Sequence, residues 1–311
     1  MKLTFEDLSS IILVIKSSEV EGMVMKRIVR APAKINLGLD TPHAYARGVL
    51  EWKMVMISVD LADDLQIETT SANSHIQVFS DKGFLPEGNR NLAYQAARVF
   101  KHAAQIDDGI TIHIQKRIPV SAGLGGGSSD AAAVLRTLND MYQTNFSDRQ
   151  LEELGLKIDS DVPYCVYGKP ALVTGKGDQI TPLQPLPACW LVIAKPGVSI
   201  STLKLLRSVK HDELSHPNID ALIAAIQTGN YEQMVANMGN ALEAVAAKNH
   251  PEVNILKERM LKAGADGAQM SGSGPTVFGI CRQLSRAKRV YNSISGFCRE
   301  VYLVAPVGEG A

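Results

Sequence analysis

The sequence predicts an α+β protein with two lobes, and three observations carry that prediction. Strand-like and helix-like stretches occur in both halves, without the regular strand–helix alternation of a doubly wound sheet. A proline-rich segment, PLQPLPA at 182–188, separates the halves and marks the best domain boundary. Of the 311 residues, 45% are hydrophobic, which is ample for one large core or two smaller ones.

Strands come first. RIVRAPAKINLGLD (27–40), EWKMVMISVDL (51–61), DLQIETT (64–70) and HIQVFS (75–80) are rich in Val, Ile and Thr, with turn residues between them. NLAYQAARVFKHAA (91–104) has helical period, with Leu92, Ala96, Val99, Phe100 and Ala103 on one face. GITIHIQKRI (109–118) alternates, placing Ile110, Ile112 and Ile114 on one side and Thr111, His113 and Gln115 on the other, so His113 reads as structural. DAAAVLRTLNDMY (130–142) reads as helix. Ser147 and Gln150 stand in capping-box positions for the next one. ALVTGKGDQITPL (171–183) predicts a hairpin turning at Gly175–Gly177. Beyond the prolines, CWLVIAKP reads as a buried strand. ALIAAI, YEQMVANMGNALEAVAA (231–247) and EVNILKERMLKAG read as long helical stretches. GAQMSGSGPTVFGIC (267–281) predicts strand, tight loop and strand; one more helix and the strand EVYLVAP close the chain.

Composition narrows the function classes. Lys+Arg and Asp+Glu both number 32, so no net charge draws the chain to nucleic acid or membrane. The four cysteines (Cys165, Cys189, Cys281, Cys298) are widely spaced with no CxxC, which fits free thiols in a reducing cytoplasm better than disulfides or zinc. Near the N-terminus the apolar run Ile11–Ile15 is too short to span a bilayer; Phe5, Leu8, Ile12 and Ile15 fall near helical spacing.

The most informative stretch is PVSAGLGGGSSDAA (119–132), with a strand before it and a helix after it. Glycines let the backbone approach a ligand and adopt positive φ. Free N–H groups and the dipole at the helix start then attract a phosphate. Ser128 and Ser129 stand where a hydroxyl can cap the helix or touch a phosphate or its metal. The loop has no lysine for a Walker A motif, and position 128 is serine where the dinucleotide fingerprint needs glycine.

This loop resembles the ATP loop of the GHMP superfamily of small-metabolite kinases. Two further motifs of that superfamily, APAKINLGLD and MSGSGPTVFG (270–279), occur in the expected order. Within it, PAKINL, RNLAYQAA, SDVPYCVYG and MSGSGPTVFG look most like the cytidyl-erythritol kinases of non-mevalonate isoprenoid biosynthesis. The resemblance runs from about Lys26 to about Val307. It implies an N-terminal ribosomal-S5-like lobe over 25–183 and a C-terminal ferredoxin-like lobe over 184–311, leaving 1–24 as an extension. It also implies ATP-dependent phosphorylation of a small-molecule alcohol, with Mg2+, by a cytoplasmic monomer or weak homodimer.

The resemblance assigns site residues by motif. Asp161 in DSDVPY would take the proton of the acceptor hydroxyl, and Lys34 in PAKINL would pair with it and stabilise developing charge; Asp159 is the nearby decoy. ATP would lie against Pro119, Val120, Ser121, Ala122, Gly123, Leu124, Gly125, Gly126, Gly127, Ser128, Ser129 and Asn91, with Ser128 reaching magnesium. Asn91 also reads as a helix N-cap. The acceptor would meet Asn36, two residues along the strand from Lys34 and on its face, and the loop Ser271, Gly272, Ser273 and Gly274.

One region departs from the pattern. The resemblance implies an aromatic residue and a histidine around the cytosine where Val49 and Leu50 stand, and a second aromatic where Leu206 stands. Trp52 and Tyr45 are the candidates to substitute. This departure leaves open a kinase of another alcohol. A catalytically silent nucleotide-binding module is the remaining alternative, and intact Lys34 and Asp161 argue against it.

Residues 1–22 carry no glycine or charge pattern for chemistry. A chain starting at Met23 is expected to keep its melting temperature within a few degrees and its full activity; thermal unfolding and a phosphotransfer assay check this.

Overall fold

The structure, a computed structural model, describes residues 24–45 and 49–307. The amphipathic stretch expected around Ile11–Ile15 lies outside the described residues. The chain opens with β1 (Met25–Asp40), the two-residue strands β2 (Ala44–Tyr45) and β3 (Val49–Leu50), β4 (Trp52–Thr70) and β5 (Ile76–Ser80). Helix α1 (Leu92–Ala104), strand β6 (Gly109–Gln115), and helices α2 (Gly126–Tyr142), α3 (Asp148–Leu156) and α4 (Val162–Tyr167) follow, then strands β7 (Ala171–Gly175) and β8 (Gln179–Pro182). After the prolines come β9 (Trp190–Lys195), α5 (Thr202–Ser208), α6 (Ile219–Gln227), α7 (Tyr231–Ala236), β10 (Gly239–Asn240), α8 (Glu243–Asn249), α9 (Glu252–Lys262), β11 (Gly267–Met270), β12 (Val277–Cys281), α10 (Leu284–Ser295) and β13 (Glu300–Val304).

The strands form two main sheets, so the class is α+β as expected. Seven strands run β10-β1-β4-β6-β5, with β7 on β4 and β8 on β7; four run β11-β12-β9-β13. The long strand β4 organises the first sheet. It pairs with β1 along one edge, and with β7 and then β6 along the other. Two strands were expected over Glu51–Thr70, but the chain makes one. The discontinuity is instead a register shift opposite Pro32, which has no N–H to donate to the ladder. The C-terminal tail returns to β4, where Asp60 N–H donates to Ala305 C=O and Val307 N–H to Ser58 C=O.

Several local expectations hold. Ile110, Ile112 and Ile114 are buried, while His113 faces outward and stacks on Phe79. Ser147 and Gln150 make both bonds of the capping box. The β7–β8 hairpin turns through Gly175 and Gly177, and the strand–loop–strand reading of 267–281 stands as β11 and β12. All four cysteines are buried and free. Among the described residues no helix is long and apolar enough to cross a membrane.

Three expectations fail in detail. The helical stretch over Tyr231–Ala247 breaks in the middle, because Gly239 and Asn240 leave it to pair in parallel with Gly38 and Leu39 of β1. Asn240 then donates its side-chain amide to the carbonyls of Met270 and Gly272, so tertiary hydrogen bonds outweigh local propensity. Helix α1 buries Ala93 and Ala97 beside Ala96 and Phe100, and leaves Ala103 exposed. Its small side chains enter the core, and α1 packs against α2. Helix α2 starts at Gly126, four residues before Asp130, directly after Gly125 in the left-handed region.

A buried ionic cluster ties β4, the end of β6 and α2 together. Lys116 Nζ bonds to Asp63 and, at 2.7 Å, to Asp130; all three side chains are almost fully buried. Asp63 Oδ1 also accepts the N–H groups of Arg117 (2.6 Å) and Ile118 (2.8 Å). Asp130 Oδ1 has no partner among the described residues. One ammonium thus serves two carboxylates, and Asp130 is the less satisfied. Burial pushes its carboxyl up to about 8.

This gives a signed prediction. Between the unfolded value of 3.8 and about 8, folded Asp130 keeps a proton that the unfolded chain has released, so stability falls as pH rises through that window. Asp130→Asn should flatten that part of the stability profile. Urea unfolding between about pH 5 and about pH 9, without nucleotide or divalent metal, checks it; an unchanged slope assigns the titration elsewhere.

Candidate active site

The site is built where two glycine-rich segments meet β1. Lys34 and Asn36 reach it because of register. Before the shift opposite Pro32, Ala31 faces the same core as α1 and α2; after it, Ala33, Ile35 and Leu37 face the opposite core. Lys34 and Asn36, which alternate with them, fall on the cleft side. A second shift between Asn36 and Gly38 returns Leu39 to that side.

The loop before α2 docks directly on these residues. Lys34 N–H donates to Leu124 C=O (2.9 Å), and Ser129 Oγ donates to Pro32 C=O (2.7 Å). Gly125 takes φ 65°, and a Cβ there would lie 2.7 Å from Lys34 Cγ. Gly125 is also the N-cap of α2 and brings no side chain to the cap, so the first amides of the helix are left for a ligand.

The second segment, Ser271–Gly274, lies against the first. Asn36 N–H donates to Ser271 Oγ (3.3 Å), whose hydroxyl donates to Gly123 C=O (3.1 Å). Gly123, at φ 76°, has no space for a Cβ beside the Ser271 carbonyl. Asn240 holds Met270 and Gly272 from below, and Gln269 donates to the carbonyls of Asn36 (3.2 Å) and Leu37 (3.3 Å).

Charge enters at one point. Lys34 Nζ donates to Asn36 Oδ1 at 2.9 Å and sits 3.2 Å from Asp161 Oδ2. The lysine side chain is 5% exposed and the aspartate 28%, so the pair opens to the cleft from the carboxylate side. Asp161 stands at the N-cap of α4. Asp159 is engaged differently: its Oδ1 accepts Ser128 Oγ–H (2.9 Å) and the N–H of Asp161 (3.0 Å).

The cleft between these segments holds about 1000 Å³. Pro119–Gly123, Gly125–Ser128, Asn91, Lys34, Asn36, Asp161, Gly272, Ser273 and Gly274 all line it. Leu124, Ser129 and Ser271 do not: Leu124 is buried in the core, and the two serines are buried and committed to backbone carbonyls. Asn91 caps α1 by accepting Ala93 N–H and donates to Pro86 C=O. Leu206 and Trp52 line the cleft, and Leu50 does not. Lys116, Asp130, Arg90 and Lys176 also line it and were not singled out from the sequence. Only Asp130 carried a signal, as the acid inside the glycine-rich motif. Among the described residues no group of three or more His, Cys, Asp or Glu could hold a metal by itself.

The chain matches the family described as GHMP kinases N terminal domain over residues 91–169, and GHMP kinases C terminal over 221–300. It is 57% identical over 283 residues to the 4-diphosphocytidyl-2-C-methyl-D-erythritol kinase of Levilactobacillus brevis, covering 91% of this chain and 100% of that relative. Its likeness to the same-named enzyme of Lactiplantibacillus plantarum is 56% over 284 residues, covering 91% and 98%. A crystal structure of 4-(cytidine 5'-diphospho)-2C-methyl-D-erythritol kinase superposes with a TM-score of 0.76 at 31% identity, covering 90% of this chain and 99% of that one. With the glycine-rich loop, the Lys34–Asp161 pair and the second glycine segment gathered in one cleft, the chain belongs to the GHMP kinases, in the family of the 4-diphosphocytidyl-2-C-methyl-D-erythritol kinases.

Proposed function

We propose that this chain transfers the terminal phosphoryl group of ATP to an alcohol of 4-diphosphocytidyl-2-C-methyl-D-erythritol, a step of non-mevalonate isoprenoid biosynthesis. The observation that carries the reading is the convergence on Lys34, where an ammonium–carboxylate pair stands between the phosphate-type loop and the second glycine segment. The names of relatives above half identity supply the acceptor.

The geometry supports a simple division of labour. Phosphoryl transfer needs in-line positioning and neutralised charge more than covalent help. Backbone amides at the start of α2 would hold the phosphates. The acceptor hydroxyl would lie against Asp161 Oδ2, which takes its proton as the new O–P bond forms and the bond from the terminal phosphorus to the bridging oxygen breaks, releasing ADP. Lys34, 3.2 Å from that oxygen, would stabilise the charge gathering on the transferred group. Asn36 fixes the ammonium by accepting from it.

Magnesium fits the donor set at Ser128 and Asp159. A hydroxyl and a carboxylate oxygen are hard ligands, and this ion commonly takes one or two carboxylates and completes its shell with water and substrate phosphates. Bound there, it would neutralise phosphate charge. The four buried thiols support a reducing, cytoplasmic setting.

Asp161→Asn and Lys34→Met should each lower kcat by about 10²–10⁴, with ATP affinity by calorimetry little changed. Coupled ADP release with the cytidyl acceptor measures this. If Asp161→Asn keeps more than about a tenth of the rate, the assignment to Asp161 is wrong and the Asp159 variant becomes the one to test.

A further inference from the structure

The second glycine segment leaves the outer edge of a sheet. Strand β11, which leads into it, stands at one end of the order β11-β12-β9-β13, so among the described residues no strand pairs with its far side. Side chains take the backbone groups there instead. Met270, the last residue of β11, donates its N–H to Glu243 Oε2 at 2.8 Å, and its carbonyl accepts the Asn240 amide at 2.9 Å. Asn240 reaches on to the Gly272 carbonyl at 2.8 Å. The turn from β10 into α8 thus stands in for a further strand, while β10 itself pairs with β1 at Gly38 and Leu39. One short turn joins the edge of the second sheet to the first.

We propose that Glu243 is a positioning residue for phosphoryl transfer, setting through Met270 the place where the second glycine segment meets Lys34; this rests on the reaction given under Proposed function. Glu243 does not line the active cleft. It faces a separate cavity of about 550 Å³, together with Asn240, Gln269 and Lys257. It therefore acts on the reaction only through the backbone it holds. Its side chain is 13% exposed, and Lys257 of α9 holds Oε1 in an ion pair, which leaves Oε2 for Met270.

The segment carries that hold to the transfer site within two residues. A Cβ at Gly272 would stand 3.3 Å from Lys34 Nζ and 3.4 Å from Asn36 Oδ1. The backbone there borders the ammonium that pairs with Asp161. Slack at Met270 is passed to Gly272 and from there to Lys34. A displacement of about 1 Å, even from a change remote from the chemistry, can cost about 10²-fold in rate.

The bond to Met270 and the pair with Lys257 make opposite demands on a substitution. Glutamine keeps the reach and an oxygen for the Met270 N–H, and loses the charge. Aspartate keeps the charge and is one methylene too short. Glu243→Gln should hold kcat with the cytidyl acceptor within about threefold of wild type. Glu243→Asp should lower it about ten- to a hundredfold, and the KM for ATP should stay within about twofold in both. A role confined to the ion pair predicts the reverse ranking. Equal kcat in the two variants, or Glu243→Gln the slower, overturns the proposal. Amide hydrogen exchange over residues 267–276 reads the same hold without turnover: it should quicken in Glu243→Asp and match wild type in Glu243→Gln. If the unmutated chain fails to turn over the acceptor, the proposed function falls, and the exchange rates still decide whether Glu243 holds the segment.

Discussion

Backbone crowding around Lys34 is the constraint on which the rest of this structure depends. Three chain segments, β1, the loop before α2 and the loop after β11, approach one another so closely that two of the contact points have no space for a Cβ. Gly125 lies against the stem of Lys34, and Gly123 against the Ser271 carbonyl. The paucity of side chains that marks these loops is therefore doubly determined. It opens the helix start to an anion, and it lets the loops close on the lysine. Ser271 completes the joint, linking Asn36 N–H to Gly123 C=O while fully buried. Residues more than 200 positions apart thus share one hydrogen-bonded seam.

Two lysine–aspartate groupings lie along this cleft, and their burial separates their roles. Around Lys116 both carboxylates are shut away, and desolvation dominates. Such a cluster is costly to assemble and costlier to break, so it suits a pin that holds α2 to the sheet. Around Lys34 only the ammonium is buried, and Asp161 keeps about a quarter of its side chain open to the cleft. The role proposed for Asp161, meeting a substrate hydroxyl, needs that opening. Asp159 fills a third role, bridging Ser128 and the backbone of Asp161. The separation of Asp161 from Asp159 is thus a matter of partners rather than of residue type.

Much of this was legible in the chain. The period-2 run ending at Gln115, the capping box at Ser147, the hairpin at Gly175–Gly177 and the strand–loop–strand at Gly267–Cys281 follow from side-chain alternation and turn chemistry, which act over a few residues. The glycine-rich motif and its two companions pointed to a kinase, and the resemblance of PAKINL and DSDVPY marked Lys34 and Asp161, which the fold brings to 3.2 Å of each other. Asn91 as a cap and Asn36 as the neighbour of Lys34 were likewise local inferences.

Other features were settled by tertiary structure alone, because their causes lie far away in sequence. The register shifts that flank Lys34 and Asn36 exist only in the pairing of β1 with β4. The break at Gly239–Asn240 overrides a helical pattern because Asn240 is needed beneath the second glycine segment. Ser129 sits in the phosphate motif beside Ser128, yet its hydroxyl is bound to Pro32, 97 residues away. Of the two aromatic candidates, Trp52 is placed on the cleft among the described residues only by the fold. The chain by itself determined which chemistry is present, since motifs and periodicity are local. Which of those groups face one another was decided by β-sheet register and backbone approach, and these depend on partners that the local sequence does not contain.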